Sequence, residues 1–397
     1  MKLTQLLAPV ALALAGTLAA CNSDTPTAPG DPAGASAPSG DAREPADGPG
    51  AVFAMTNAAV GNEVLAYARA ADGSLTFRAR YATGGRGSGG RVDPLQSSKS
   101  LLLSNDGRLL FAVNAGSNEI SVFRVRGTDL TLVERAASGG QYPNSLTLHQ
   151  DVLYVLNNGG QVADRGNTGL GSITGFVVRR RGGLAAIPGS TRAVSGPDAG
   201  ASQVAFTPDG RTLVVTERRT DRLLTYAVDR DGRAGEPRVQ ASSGATPFAV
   251  GFAGRSTAVV PEAFGAAPNA AAVSSYELTR GRGAALRPVT PSLRTGHSAA
   301  CWIAVTPDGR FAYTTNAGSS VVTGFSVARD GALALLNADG RTGLTGTGTT
   351  PLDVAVSRDG NFLYTLNTGT GTVGAFRIAA DGALTPVEGA GGLPVTG

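Results

Sequence analysis

From residue 51 onward the sequence predicts an all-β chain, folded as a seven-bladed β-propeller of four-stranded antiparallel blades. Three observations carry that prediction. One phrase recurs along the chain: an apolar strand, an Asp-Gly turn, a second strand ending in Asn, a short Gly/Ser turn and a third strand. Its landmarks are Asn57, Asn114, Asn157, Glu217, Glu262, Asn316 and Asn367, on average about 52 residues apart. No segment carries the apolar period of a helix. Four short strands per unit fit a blade; a solenoid, the other repeat architecture, usually has shorter repeats and end caps.

Composition bounds the function. Of 397 residues 56 are glycine, with no Gly-X-Y period, which favours many turns. Apolar residues make up 42% and charged residues 16%, which excludes a coiled coil or a wholly disordered chain. The net charge is +4, and all but Lys2 and Lys99 of the 34 basic residues are arginines scattered along the chain. No phosphate-tracking patch results, so no nucleic-acid partner is expected. Two cysteines and two histidines leave no zinc cluster and no disulfide framework.

The first element is an address. Met1–Ala20 has Lys2, an apolar run from Leu6 to Ala19, then small residues, the order of an export signal. Leu18-Ala19-Ala20-Cys21 is similar to a bacterial lipobox, which implies lipidation at Cys21 and a membrane anchor facing the periplasm or outer surface. Ordinary cleavage near Ala20 would leave a soluble periplasmic protein. Residues 21–50 read as a tether: Asn22–Gly50 has six prolines and no Val, Ile, Leu, Met, Phe, Trp or Tyr.

The repeats occupy 51–397. Clear copies are Asn105-Asp106-Gly107-Arg108 with Val113-Asn114, and Pro307-Asp308-Gly309-Arg310 with Thr315-Asn316. Others are Arg358-Asp359-Gly360-Asn361 with Leu366-Asn367, and Pro208-Asp209-Gly210-Arg211 with Thr216-Glu217. A fourth strand often follows another Asp-Gly, as at Asp72-Gly73, Asp330-Gly331 and Asp381-Gly382. The first repeat begins at Val52, in line with a second strand, so the first blade is expected to have a short or missing inner strand.

These phrases, together with Ala300-Cys301-Trp302-Ile303-Ala304-Val305-Thr306-Pro307-Asp308-Gly309, make the chain resemble the seven-bladed propeller lactonases with YVTN-like repeats. That family includes bacterial 6-phosphogluconolactonase and fungal carboxymuconate cyclase. The resemblance implies hydrolysis or isomerisation of a lactone or small carboxylic ester. The Arg-His and Asn-Glu pairs of the 6-phosphogluconolactonase type fall here on Ser202-Gln203 and Glu217-Arg218, and its histidine-rich segment on Tyr142-Pro143-Asn144-Ser145. That enzyme's motif is therefore not retained.

Within a blade, the start of the innermost strand and the end of the second share one end of the ring, its top. The first set includes Ser100, Asn144, Gln203, Trp302 and Asp353; the second holds five asparagines and two exceptions, Glu217 and Glu262. Two carboxylates replacing amides in adjacent blades read either as salt-bridge partners of nearby arginines or as a general base for water, with Arg218 as anion partner. His297, in a top-face loop, is the only histidine placed to act as a base. Long connections after Asn157 and Glu262 would roof a pocket floored by Asn144, Gln203, Glu217 and Glu262.

The catalytic candidates are thus Glu217, Glu262, Arg218 and His297; the substrate-binding candidates are Asn144, Gln203, Trp302 and Asp353. No metal or cofactor is expected, although calcium joining Glu217, Glu262 and Asp353 stays open. Cys301 reads as a buried inert thiol and His149 as structural. Gly85-Arg86-Gly87-Ser88-Gly89-Gly90 precedes Val92-Asp93-Pro94 rather than a helix, so it is no dinucleotide motif. Two functions follow for a chain expected to be a monomer: a metal-independent hydrolase or isomerase of a lactone or small carboxylic ester with a carboxylate base, or a non-catalytic cell-envelope propeller that binds a ligand or protein.

Overall fold

A computed structural model describes residues 18–22, 50–90, 93, 95–162, 166–167, 169–279, 281 and 283–395. Most of the export signal and of the tether lies outside the described residues. Seven antiparallel sheets form the ring, built from inside outward in chain order. The first blade holds Leu18–Asn22, Gly50–Met55, Glu63–Arg69 and Leu75–Ala82. The second holds Leu101–Leu103, Leu109–Asn114, Glu119–Arg126 and Asp129–Ala137. The third holds Pro143–His149, Val152–Asn157 and Leu170–Val178, with an outer edge split into Leu184–Ala186 and Arg192–Pro197.

Ala201–Phe206, Thr212–Glu217, Arg222–Val228 and Ala234–Ala241 make the fourth blade. Gly251–Ala253, Thr257–Glu262, Ala272–Leu278 and Leu286–Arg294 make the fifth. The sixth has Ala300–Val305, Phe311–Asn316, Val321–Val327 and an outer edge split into Leu333–Leu335 and Gly343–Leu344. Pro351–Val356, Phe362–Asn367, Thr372–Ile378 and Leu384–Ala390 close the ring. Among the described residues, the helical content is one 3₁₀ turn at Phe264–Ala266.

One expectation is corrected. The first blade has four strands: Leu18–Asn22 pairs antiparallel with Gly50–Met55, Leu18 opposite Ala54 and Asn22 opposite Gly50. The inner strand precedes the repeat by almost thirty residues, so aligning repeat copies could not find it.

Burial explains the strand sequences. Inner strands lie between neighbouring blades with both faces covered, so Phe362–Asn367 is buried at every position. Outer strands keep one face in water, and Leu75–Ala82 is mostly exposed after its first residue. The recurrent tyrosine of the second strand also has a partner. Tyr154, Tyr313 and Tyr364 donate their hydroxyls to the carbonyls of Gly232, Gly382 and Gly73, at 2.7, 2.8 and 3.1 Å. Each glycine belongs to the outer turn of the next blade. Gly73 sits at φ +91 against the Phe362 ring, where a Cβ would have no space.

The last of those bonds crosses from the seventh blade to the first. There Arg69 and Asp359 pair at 3.2 Å, both almost fully buried, and the Arg69 guanidinium lies 5.2 Å from the Phe362 ring centre. Arg377 Nη2 donates to the Asp72 carbonyl at 3.2 Å.

Candidate active site

In blades two to six the residue ending the second strand fastens its blade to the preceding one. The Asn114 carbonyl oxygen accepts the Thr83 hydroxyl at 2.7 Å, and Asn316 Oδ1 accepts Thr295 at 3.2 Å. Asn157 Nδ2 donates to the Ser138 carbonyl at 3.2 Å. Glu217 and Glu262 occupy the same role with more donors. Glu217 Oε1 accepts the Ser195 amide at 2.8 Å, and Oε2 accepts the hydroxyls of Ser195 and Thr220 at 2.5 and 2.6 Å. Glu262 Oε1 accepts the Gly244 amide at 2.8 Å and the Ser274 hydroxyl at 2.6 Å; Oε2 accepts Ser292 at 2.7 Å.

Both carboxylates are fully buried. They point along the seams toward outer-strand residues, and neither makes an ion pair among the described residues. A general base needs a lone pair that water can reach; here three or more donors engage each carboxylate. The cleft nearest them, about 1000 Å³ at the seam of blades four and five, is lined by Asp221, Arg222, Phe264 and Arg294 but not by either glutamate. The glutamates lie one layer beneath it, behind Ser195, Thr220, Gly244 and Ser292, and neither Asn144 nor Gln203 lines it.

The two amide candidates are used between inner strands. Gln203 exchanges both hydrogen bonds with the Val250 backbone, at 2.9 and 3.0 Å, extending the ladder into the next blade. Asn144 Nδ2 donates to the Ala201 carbonyl at 3.0 Å. His297 is buried, with Nε2 at 3.1 Å from the Asp339 carbonyl oxygen, and burial lowers its pKa. It fastens a loop to the sixth blade. Glu217, Glu262 and Asp353 do not meet: among the described residues no group of three or more His, Cys, Asp or Glu could hold a metal ion.

Chemistry converges instead on the channel top. Asp93, on the connection between the first and second blades, lies deep among the inner strands yet retains some solvent exposure. Burial pushes its carboxyl well above the ordinary value; Arg218 opposes that shift and the Asp353 charge adds to it. Burial pulls the Arg218 guanidinium down, with Asp93 acting against it. Arg218 Nε has no hydrogen-bond partner among the described residues, although it is buried. An unspent, desolvated donor is costly, and such groups mark places where a ligand completes the bonding.

Two neighbours complete the cluster. Burial raises the Tyr142 phenol to about 12, so it stays protonated at neutral pH and can donate a hydrogen bond. The Cys301 thiol is pushed well above its ordinary value, first by burial and then by Asp93; it is inert, in keeping with the sequence. Trp302 lies alongside, its indole 4.9 Å from the Phe248 ring centre.

Of the residues nominated from sequence, this site gathers Arg218 and Asp353 as charges, while Trp302 reaches the Ser97 carbonyl of the same connection. Asp93 was missed. Its only sequence signal is an Asp-Pro step in a glycine-rich connection, which by itself reads as a turn.

A family model described as Lactonase, 7-bladed beta-propeller, matches residues 51–163 and 203–394. No curated protein matches. A solved protein of Bacteroides fragilis, proposed to be a 6-phosphogluconolactonase, is 17% identical with a TM-score of 0.63, covering 84% of this chain and 91% of its own. The periplasmic gluconolactonase PpgL of Pseudomonas aeruginosa is 20% identical with a TM-score of 0.61, covering 84% and 93%. Hydrazine synthase of Kuenenia stuttgartiensis is 19% identical with a TM-score of 0.56, covering 84% and 94%. At such identities likeness shows the fold alone, and unrelated chemistries share it. The family model, which spans most of the ring, settles the membership: the chain belongs to the seven-bladed β-propeller lactonase family.

Proposed function

We propose that the protein hydrolyses a lactone at the top of its channel, without a metal, using Asp93 as the base and Arg218 as the cationic partner. The observation that carries this reading is a carboxyl raised by burial within electrostatic reach of a guanidinium whose Nε is unspent. Asp93 takes a proton from water as the water oxygen adds to the lactone carbonyl carbon. The resulting oxyanion faces Arg218, with the Tyr142 phenol as a further donor. Collapse breaks the ring C–O bond, and Asp93 returns its proton to the leaving alkoxide, giving the open hydroxy acid.

The test is proton release from a panel of lactones by the purified protein. Asp93→Asn should lower kcat by ~10²-fold or more. The ionised carboxylate is the working form, so the rate should fall as pH drops through a limb above 3.8, the ordinary aspartate value. Full activity in Asp93→Asn overturns the assignment. One observation favours the second reading, a propeller that binds without turnover. The carboxylates and amides nominated from sequence, Glu217, Glu262, Asn144 and Gln203, are committed to holding blades together. If no lactone reacts, that reading replaces the first. We also propose that the protein works as a monomer, exported and held at the membrane through Cys21.

A further inference from the structure

We propose that Trp302 is a positioning residue: its indole N–H holds the connection Leu95–Ser98 across the channel top and thereby sets Asp93 opposite Arg218. The inference rests on the assignment of Asp93 as the base. Trp302 Nε1 donates to the Ser97 carbonyl at 2.8 Å, joining residues 205 apart in sequence and blades on different sides of the ring. The Gln96 amide, next along the chain, donates to Asp93 Oδ1 at 2.9 Å and to the Asp93 carbonyl at 3.1 Å. The carboxylate is thus oriented by the residue next to the one whose carbonyl Trp302 holds.

This grip opposes strain. Gln96 has a left-handed backbone, with φ of 46, which is uncommon for its type, and Asp93 shares that conformation, with φ of 51. Such conformations persist only where the surroundings over-determine them, and they cluster at functional sites. Two further bonds assist: Ser97 Oγ to the Asn144 carbonyl at 2.7 Å and the Ser98 amide to the Ser202 carbonyl at 3.2 Å. The first reaches the third blade and the second the fourth, whereas Trp302 pulls from the sixth, across the ring.

Trp302→Phe keeps a ring against Phe248 and removes the N–H, so the blade should fold. In the full chain, amide exchange over Leu95–Ser98 should quicken at least tenfold while strand amides stay unchanged. The kcat should fall about tenfold with little change in KM, and the acid limb of the pH–rate profile should move toward the ordinary aspartate value. Unchanged exchange over Leu95–Ser98 overturns the inference, whatever the activity. So does an unmoved acid limb, provided Asp93→Asn is inactive. Should Asp93→Asn remain fully active, it is the assignment of the base that fails, and amide exchange still decides whether Trp302 holds the connection.

Discussion

At the end of the second strand in blades two to six one side chain must satisfy groups from two blades, and the number of donors it meets decides which residue suits. Asn114 meets donors on its carbonyl and gives its amide to Ser121 at 2.8 Å. Glu262 meets only donors, three hydroxyls and an amide, and an acceptor-only side chain fits. The exception was visible in sequence, but its cause was not, because the partners lie on three different strands or turns. Glu262→Ala should therefore lower unfolding stability by about 3 kcal/mol in denaturant titration, since several buried donors lose their acceptor. Turnover per folded molecule should persist. A hundredfold loss of kcat at unchanged stability would instead restore Glu262 as a catalytic base.

Turns within the blades were legible because their chemistry is local. At the inner Asp-Gly turns a hydroxyl two residues before the aspartate bonds to it: Ser104 to Asp106 at 2.6 Å, Thr207 to Asp209 at 2.7 Å and Thr306 to Asp308 at 2.6 Å. The leader is a harder element, because one stretch serves two readings. As a lipobox, Leu18–Cys21 is cut before Cys21; as a strand, Leu18–Asn22 completes the first blade. Cleavage would remove Leu18, Ala19 and Ala20, leaving Cys21 opposite Ala51 and Asn22 opposite Gly50. Globomycin should therefore accumulate a larger precursor, and Gly50–Met55 should exchange amide hydrogens faster in the mature protein than in the precursor. An unchanged size and no palmitate label would refute the anchor.

Across the whole molecule, closure depends on the seventh blade meeting the first through the same tyrosine-to-glycine bond used elsewhere, reinforced by Arg69 and Asp359. Breaking a buried pair by removing one partner leaves an uncompensated charge. Arg69→Ala should cost ~3–5 kcal/mol in denaturant titration, and Arg69→Met with Asp359→Asn should recover part of it, because an amide oxygen still accepts from Ser357 and Asn361. Equal stability of the single variant and wild type would show the seam to be held by other contacts. Tyr364 and Gly73 are 291 residues apart. During synthesis at ~5–20 residues per second, the flank of the first blade waits ~15–60 s for its cover. For that interval Val52, Tyr67 and Leu75, packed in the finished ring against Phe362 and Tyr364, belong to a half-made surface. The nascent protein, more than the finished one, is what a holding chaperone would have to shield.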